Sequence, residues 1–339
     1  ILECILMDAT TNQIKFTTND MELGIETIVE GTIKEKGKVA LDAKIFYEII
    51  RRLPDNDVTI KTDDKYAATI TCEKAKFNIP GKSGEDFAYL PMIEKDEPLT
   101  ISQYTLKEMI RQTIFSIAVN ENNKLMTGEL FEIKNNCLKV VSLDGHRISI
   151  RKMSLKKDYS DRKVVVPGKT LSEVSKILSG EVDDQVSIYF TKNHILFEFD
   201  NTRVVSRLLE GEYYKISQML SSDYETKITI NKKEFLNCID RASLLIRESD
   251  KKPIIIDIAD HSLKLNINSF FGSMEEEILI QKEGRDLLIG FNPKFLMDVL
   301  RVIDDEEINI YLVNPKAPCY IKDDAGTYNY LILPVNFNH

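Results

Sequence analysis

The chain has 339 residues, 43% of them hydrophobic, and a formal net charge of −9, which describes a globular protein of several domains. No apolar run approaches the roughly 18 residues that span a bilayer. Cys4, Cys72, Cys137, Cys238 and Cys319 are scattered and never form a Cys-x-x-Cys pair, which argues against a disulfide framework and points to reduced thiols in the cytoplasm.

Taken in order, residues 1 to about 97 open with the strand-like runs ILECILMDA, NQIKFTTND and LGIETIVEGTI. A helix is predicted over 44–52, stopped by Leu53-Pro54-Asp55, and strands DVTIKTD, YAATITC and KAKFNIP follow. Residues 98–220 begin with a predicted helix over 106–119, whose Leu106, Met109, Ile110, Ile114 and Ile117 keep helical spacing. Strands GELFEIKN and LKVVSLD come next, with Asn135-Asn136 as the expected turn, then a helix over 169–178 and three more strands. Residues 221–339 repeat the order: a strand, a helix over 232–247, three strands, a helix over 294–302, and three strands ending in YNYLILPV. Few helices among antiparallel strands predict an α+β fold.

One pattern occurs three times. Lys44, Lys169 and Lys294 lie 125 residues apart, and each opens a basic, acidic, basic series: Lys44/Glu48/Arg51, Lys169/Glu173/Lys176 and Lys294/Asp298/Arg301. A period of about 125 residues is that of a domain, not of a solenoid turn. The expectation is three domains, 1–97, 98–220 and 221–339. By the same interval the first would begin about 27 residues before Ile1, so that it is short of a strand and a helix.

The five predicted helices hold thirteen basic and six acidic side chains, a balance of +7 that leaves −16 on the rest of the chain. A single Lys–Glu–Lys face is ordinarily a solvated surface with i,i+4 pairs. Basic helices on an acidic body, taken together, suit a protein that surrounds a polyanion without reading its sequence. The residues that would face the polyanion are Lys44, Arg51, Arg52, Lys107, Arg111, Lys169, Lys176, Lys232, Lys233, Arg241, Lys294 and Arg301. There is no Gly-rich phosphate loop, HExxH, G-x-S-x-G or paired Cys/His spacing, so no cofactor or metal is expected. Two alternatives stand beside the polyanion reading: a hydrolase using Asp144, His146 and Ser149, and a threefold-repeat interaction scaffold that never touches DNA.

Four stretches carry a resemblance: MTGELFEI (126–133), SLDGHRISI (142–150), SRLLEGEYYKI (206–216) and YNYLILPVNF (328–337). In order, with the threefold repeat, they resemble the bacterial DNA polymerase III beta subunits, the beta sliding clamps. The resemblance implies a non-catalytic processivity factor. Two subunits of three domains close head to tail into a six-domain ring whose helices line the hole and whose sheets form the outside. Duplex DNA passes through, a clamp loader opens the ring, and the replicative polymerase and repair proteins bind by short motifs of the Gln-Leu-x-Leu-Phe kind.

Carried over by position, the cleft for those motifs comprises Met126, Leu143, Gly145, His146, Arg147, Ile148, Tyr214, Met219, Asn292, Phe295, Leu331, Ile332, Leu333, Pro334 and Val335. Leu143 stands where the family has Thr, Tyr214 where it has Pro, Gln218 where it has a basic residue and Val335 where it has Met. The tail also runs on to Phe337-Asn338-His339. The implied subunit seam sets Lys74, Lys76, Phe77 and Ile79 of a last strand against Leu244, Leu245 and the acidic run Glu275-Glu276-Glu277.

Overall fold

A computed structural model describes residues 2–119, 122–247 and 252–337. By contact density the chain forms two compact units: residues 1–103 with 179–208, and residues 104–178 with 209–339. The middle third of the sequence is thus shared between them, and each unit is described by itself.

In the first unit a nine-stranded sheet runs in the order Gly81–Ser83, Lys38–Asp42, Cys4–Asp8, Ile14–Asn19, Leu23–Val29, Thr202–Arg207, His194–Phe199, Gln185–Phe190, Leu99–Ser102. Its central pairing, Val204 opposite Ile25, joins strands far apart in sequence into one antiparallel ladder. A three-stranded sheet (Thr59–Thr62, Ala68–Cys72, Ala75–Ile79) lies in the same unit, with Ala75–Ile79 at one edge. Helix α1 (Ala43–Ile50) starts at Asp42, whose carboxylate accepts the Ile45 N–H at 2.8 Å. That cap satisfies a backbone donor the helix leaves open. Phe46 and Ile49 bury its inner face against Val39, Leu41, Ala68 and Ile70.

The second unit holds helices α2 (Gln103–Arg111, all but its first residue), α3 (Gly168–Ile177), α4 (Lys232–Ser243) and α5 (Pro293–Val302). Its seven-stranded sheet runs Gly128–Leu143, Arg147–Pro167, Tyr328–Ile332, Cys319–Lys322, Glu307–Leu312, Thr226–Asn231, Gln281–Gly284. Its four-stranded sheet runs Gly272–Leu279, Ser262–Ser269, Ile254–Ala259, Leu287–Phe291. Asn231 and Asn292 cap α4 and α5 as Asp42 caps α1, accepting from Glu234 N and Lys294 N at 3.0 Å each. Phe235, Ile239, Leu296, Val299 and Leu300 from these two helices share a core with Ile256, Ile289 and Ile310 of the sheets. Among the described residues every strand pair is antiparallel, so the α+β expectation holds.

Three local expectations fail, each for a visible reason. The helix predicted to Val119 ends at Arg111 and resumes as a 3-10 turn over Ile114–Ser116. The Thr113 hydroxyl donates to the Met109 carbonyl at 2.7 Å, a side-chain bond that competes with helix continuation. The helix predicted to Arg247 ends at Ser243, with Leu244 as its C-cap. Asn135-Asn136 is not the hairpin turn. Asn135 takes φ +54° within a long strand whose register against Arg147–Pro167 shifts there, and the reversal comes at Asp144–His146.

Glu129 is fully buried, and neither carboxylate oxygen finds a donor among the described residues. Burial pushes its pKa up to about 8. Cys4, Cys72, Cys238 and Cys319 are buried and Cys137 is half-buried, all as free thiols. No helix among the described residues is long and apolar enough to cross a membrane.

Candidate functional site

The turn Asp144-Gly145-His146 organises the site, all of which lies in the second unit. The Asp144 carboxylate accepts the backbone N–H of His146 at 3.0 Å and of Arg147 at 3.2 Å. Gly145 sits at φ +90°, a conformation that suits a residue without Cβ. The turn presents His146 to solvent and sends Arg147 inward.

Arg147 is 7% exposed, and burying a guanidinium is tolerable only when its donors are met. Nε donates to Asp144 at 2.9 Å, one terminal nitrogen to Asp298 of α5 at 2.7 Å, and the other to the Phe115 carbonyl at 2.5 Å. The same guanidinium lies 4.5 Å from the Phe295 ring centre and 5.5 Å from that of Phe115, within cation–π range. Phe295 in turn stacks with His146 at 6.0 Å.

An apolar patch adjoins this hub. Leu143, Ile148 and Leu331 are buried in one cluster with Tyr213, Ile216 and Tyr320, and Met126 and Tyr214 pack on it from outside. Tyr214 meets Tyr213 edge to face at 5.7 Å, and its hydroxyl accepts from Asn123 at 2.6 Å. Met219 and Leu333 are exposed apolar side chains. Leu333 N donates to the His146 carbonyl and Val335 N to the Gly290 carbonyl, tying the tail beside the turn. Strand alternation removes one candidate. Ile332 is wholly buried in the core that α4 and α5 share, while Leu331 belongs to the apolar patch. Asn292 spends its side chain on the α5 cap, and Pro334 is half-buried.

Family models of the DNA polymerase III beta subunit match three consecutive stretches: the N-terminal domain at residues 1–91, the central domain at 100–215 and the C-terminal domain at 217–336. The Staphylococcus epidermidis beta sliding clamp is 34% identical over 346 residues, covering 99% of this chain and 92% of that relative. The chain belongs to the beta sliding clamp family. A DNA polymerase sliding clamp structure from Bacillus subtilis superimposes with a TM-score of 0.94 at 34% identity, over 99% of this chain and 92% of that one. A crystal structure from Eubacterium rectale, assigned as a DNA polymerase III beta subunit, reaches 0.96 at 67% identity, over 100% and 92%.

Asp144, His146 and Ser149 do not form a hydrolytic centre. Ser149 is buried and its hydroxyl meets that of Ser116 at 2.5 Å, while the Asp144 carboxylate is spent on Arg147 and the turn. Among the described residues no group of three or more His, Cys, Asp or Glu is placed to hold a metal.

The DNA-facing candidates differ in what they hold. Lys44, Lys169, Lys233 and Lys294 are exposed. Glu48 takes both Arg51 and Arg52, Glu173 takes Lys176, and Arg111 pairs with Glu108. Lys107 and Lys232 reach back to the Leu178 and Ile303 carbonyls at 3.1 and 2.5 Å. In the third copy of the pattern the middle acid behaves differently: Asp298 turns inward to Arg147, and Arg301 lies 3.7 Å from Asp240.

Of the seam candidates, Lys76, Phe77 and Ile79 lie on the edge strand Ala75–Ile79, but Lys74 sits in the turn before it. Leu244 is 82% exposed, and Leu245 packs on the α4–α5 core. Glu275, Glu276 and Glu277 lie on the edge strand Gly272–Leu279. Glu276, a seam candidate, is gripped through both oxygens by Arg241, a DNA-facing candidate. That pairing holds its carboxyl below the ordinary range.

The sequence missed Asp298 and Phe115 as parts of the site, and it singled out Asp144 by name only for the hydrolase alternative. Asp298 stood in the basic–acidic–basic pattern without a partner, and Phe115 takes part through a backbone carbonyl, which no side-chain motif records.

Proposed function

We propose that this protein is a DNA sliding clamp: a non-enzymatic processivity factor that encircles duplex DNA and tethers the replicative polymerase to it. The three consecutive beta-subunit matches carry this reading. The subunit then consists of clamp domains 1–97, 98–220 and 221–339, and two subunits close head to tail. The basic residues of the helices face the DNA, contacting phosphates weakly enough to slide. The seam pairs the edge strand Ala75–Ile79, with Lys74 and Lys76, against the edge strand that carries Glu275–Glu277 and the nearby Leu244. The clamp works in the cytoplasm and is opened by a clamp loader.

Polymerase and repair proteins dock by a short apolar motif on Met126, Leu143, Ile148, Tyr214, Met219, Leu331, Leu333 and Val335, between the His146–Phe295 rim and the tail. A few polar edges around an apolar patch suit peptide anchors.

The test is retention on nicked circular DNA after loading. A clamp stays bound until the circle is linearised and then runs off the ends. Loss at equal rates from circular and linear DNA would favour the interaction scaffold instead.

A further inference from the structure

We infer that Asp298, assisted by Asp144, is a positioning residue for the partner-binding patch, acting through Arg147. The proposal rests on the docking reading above. Arg147 meets two carboxylates and one carbonyl at 2.9, 2.7 and 2.5 Å, so its guanidinium is committed inside the protein. It shapes the rim of the patch without reading the partner.

The shaping runs through a chain of contacts. Asp298 and Phe295 lie three residues apart on α5 and so share one face of the helix. The carboxylate fixes the guanidinium, which lies 4.5 Å from the Phe295 ring centre, and that ring stacks with His146 at 6.0 Å. Asp144 holds the same guanidinium from the other side of the sequence while it builds the turn that carries His146. The Phe115 carbonyl, freed by the early end of α2, completes the set. Three separate segments therefore converge on one cation. Losing the charge of Asp298 leaves a buried guanidinium short of a partner, which it regains by moving. The Phe295 and His146 rings move with it.

The experiment is a double-variant cycle read by fluorescence anisotropy with a labelled peptide of the Gln-Leu-x-Leu-Phe kind. It uses the whole chain as wild type, Asp298→Asn, Arg147→Met and both together. Asn keeps the shape and an acceptor oxygen but removes the charge. Asp298→Asn is expected to weaken Kd about tenfold. The double variant should bind no worse than Arg147→Met alone, because the carboxylate acts through the guanidinium. The His146 ring proton signal should also shift in Asp298→Asn as the Phe295 ring current moves. Losses that multiply in the double variant, an unchanged Kd, or an unmoved His146 signal would each overturn the proposal. Asp144→Asn, put through the same cycle, carries the test if Asp298→Asn does not fold. A wild type that binds no peptide overturns the docking reading itself, whereas wild-type binding with multiplied losses overturns only the positioning role.

Discussion

Glu129 couples the stability of the second unit to pH. Its carboxyl is held up near 8 by burial, against an ordinary 4.5. Between those values the folded chain keeps a proton that the unfolded chain has lost. Stability therefore falls as pH rises through that window, by about 1.4 kcal/mol per unit, and levels off above it. Glu129→Gln carries no such proton. Melting curves of the two proteins from pH 5 to pH 8 should diverge steadily, with the variant increasingly the more stable. A difference that stays constant across the range would mean that Glu129 titrates normally. Gly290 makes a second case: a Cβ there would meet the Phe337 ring at 2.6 Å and the Val335 carbonyl at 2.9 Å. Gly290→Ala should therefore unseat the tail, read as faster carboxypeptidase trimming at unchanged helix content.

Elements show why some features were legible and others were not. Strand–Asx–helix junctions at Asp42, Asn231 and Asn292 each set a side-chain oxygen at the N-cap, and the helix starts predicted there fall within a residue of those observed. Asn292→Ala should cost about 1 kcal/mol, seen as a lower melting temperature and as faster amide exchange in the first turn of α5. The end of α2 was hidden because Ile114 and Ile117 kept the helical period, while the deciding bond, from the Thr113 hydroxyl to Met109, reads as nothing in a hydrophobic pattern. The inward turn of Asp298 was hidden for a different reason. In the sequence it matches Glu48 and Glu173, and only the fold brings a residue 151 positions away within 2.7 Å. The apolar patch was legible through family resemblance. Strand alternation then sorted Leu331 from Ile332, which the list of candidate positions had kept together.

At the scale of the whole molecule the helices carry the positive balance and the body carries the negative one. Lys169→Glu with Lys294→Glu should reduce clamp loading and polymerase processivity several-fold, with the deficit deepest at low salt, where phosphate contacts weigh most. Processivity equal to wild type at every salt concentration would count against DNA contact by these helices. Solution mass by light scattering addresses the seam. A species of twice 38.9 kDa is expected, and Lys76→Glu should shift it towards the monomer by setting like charge against the acidic strand.

The disposition of the thiols has a practical consequence. Burial pushes Cys238 and Cys319 up to about 12, and Cys4 and Cys72 are also out of solvent. The thiolate is the species that alkylates, so a maleimide dye at neutral pH should react first at half-buried Cys137. Mass spectrometry would show a single adduct there before any other. The native chain thus comes with its own fluorophore attachment point, on the long strand Gly128–Leu143. Single-molecule tracking of this clamp on DNA then needs no engineered cysteine.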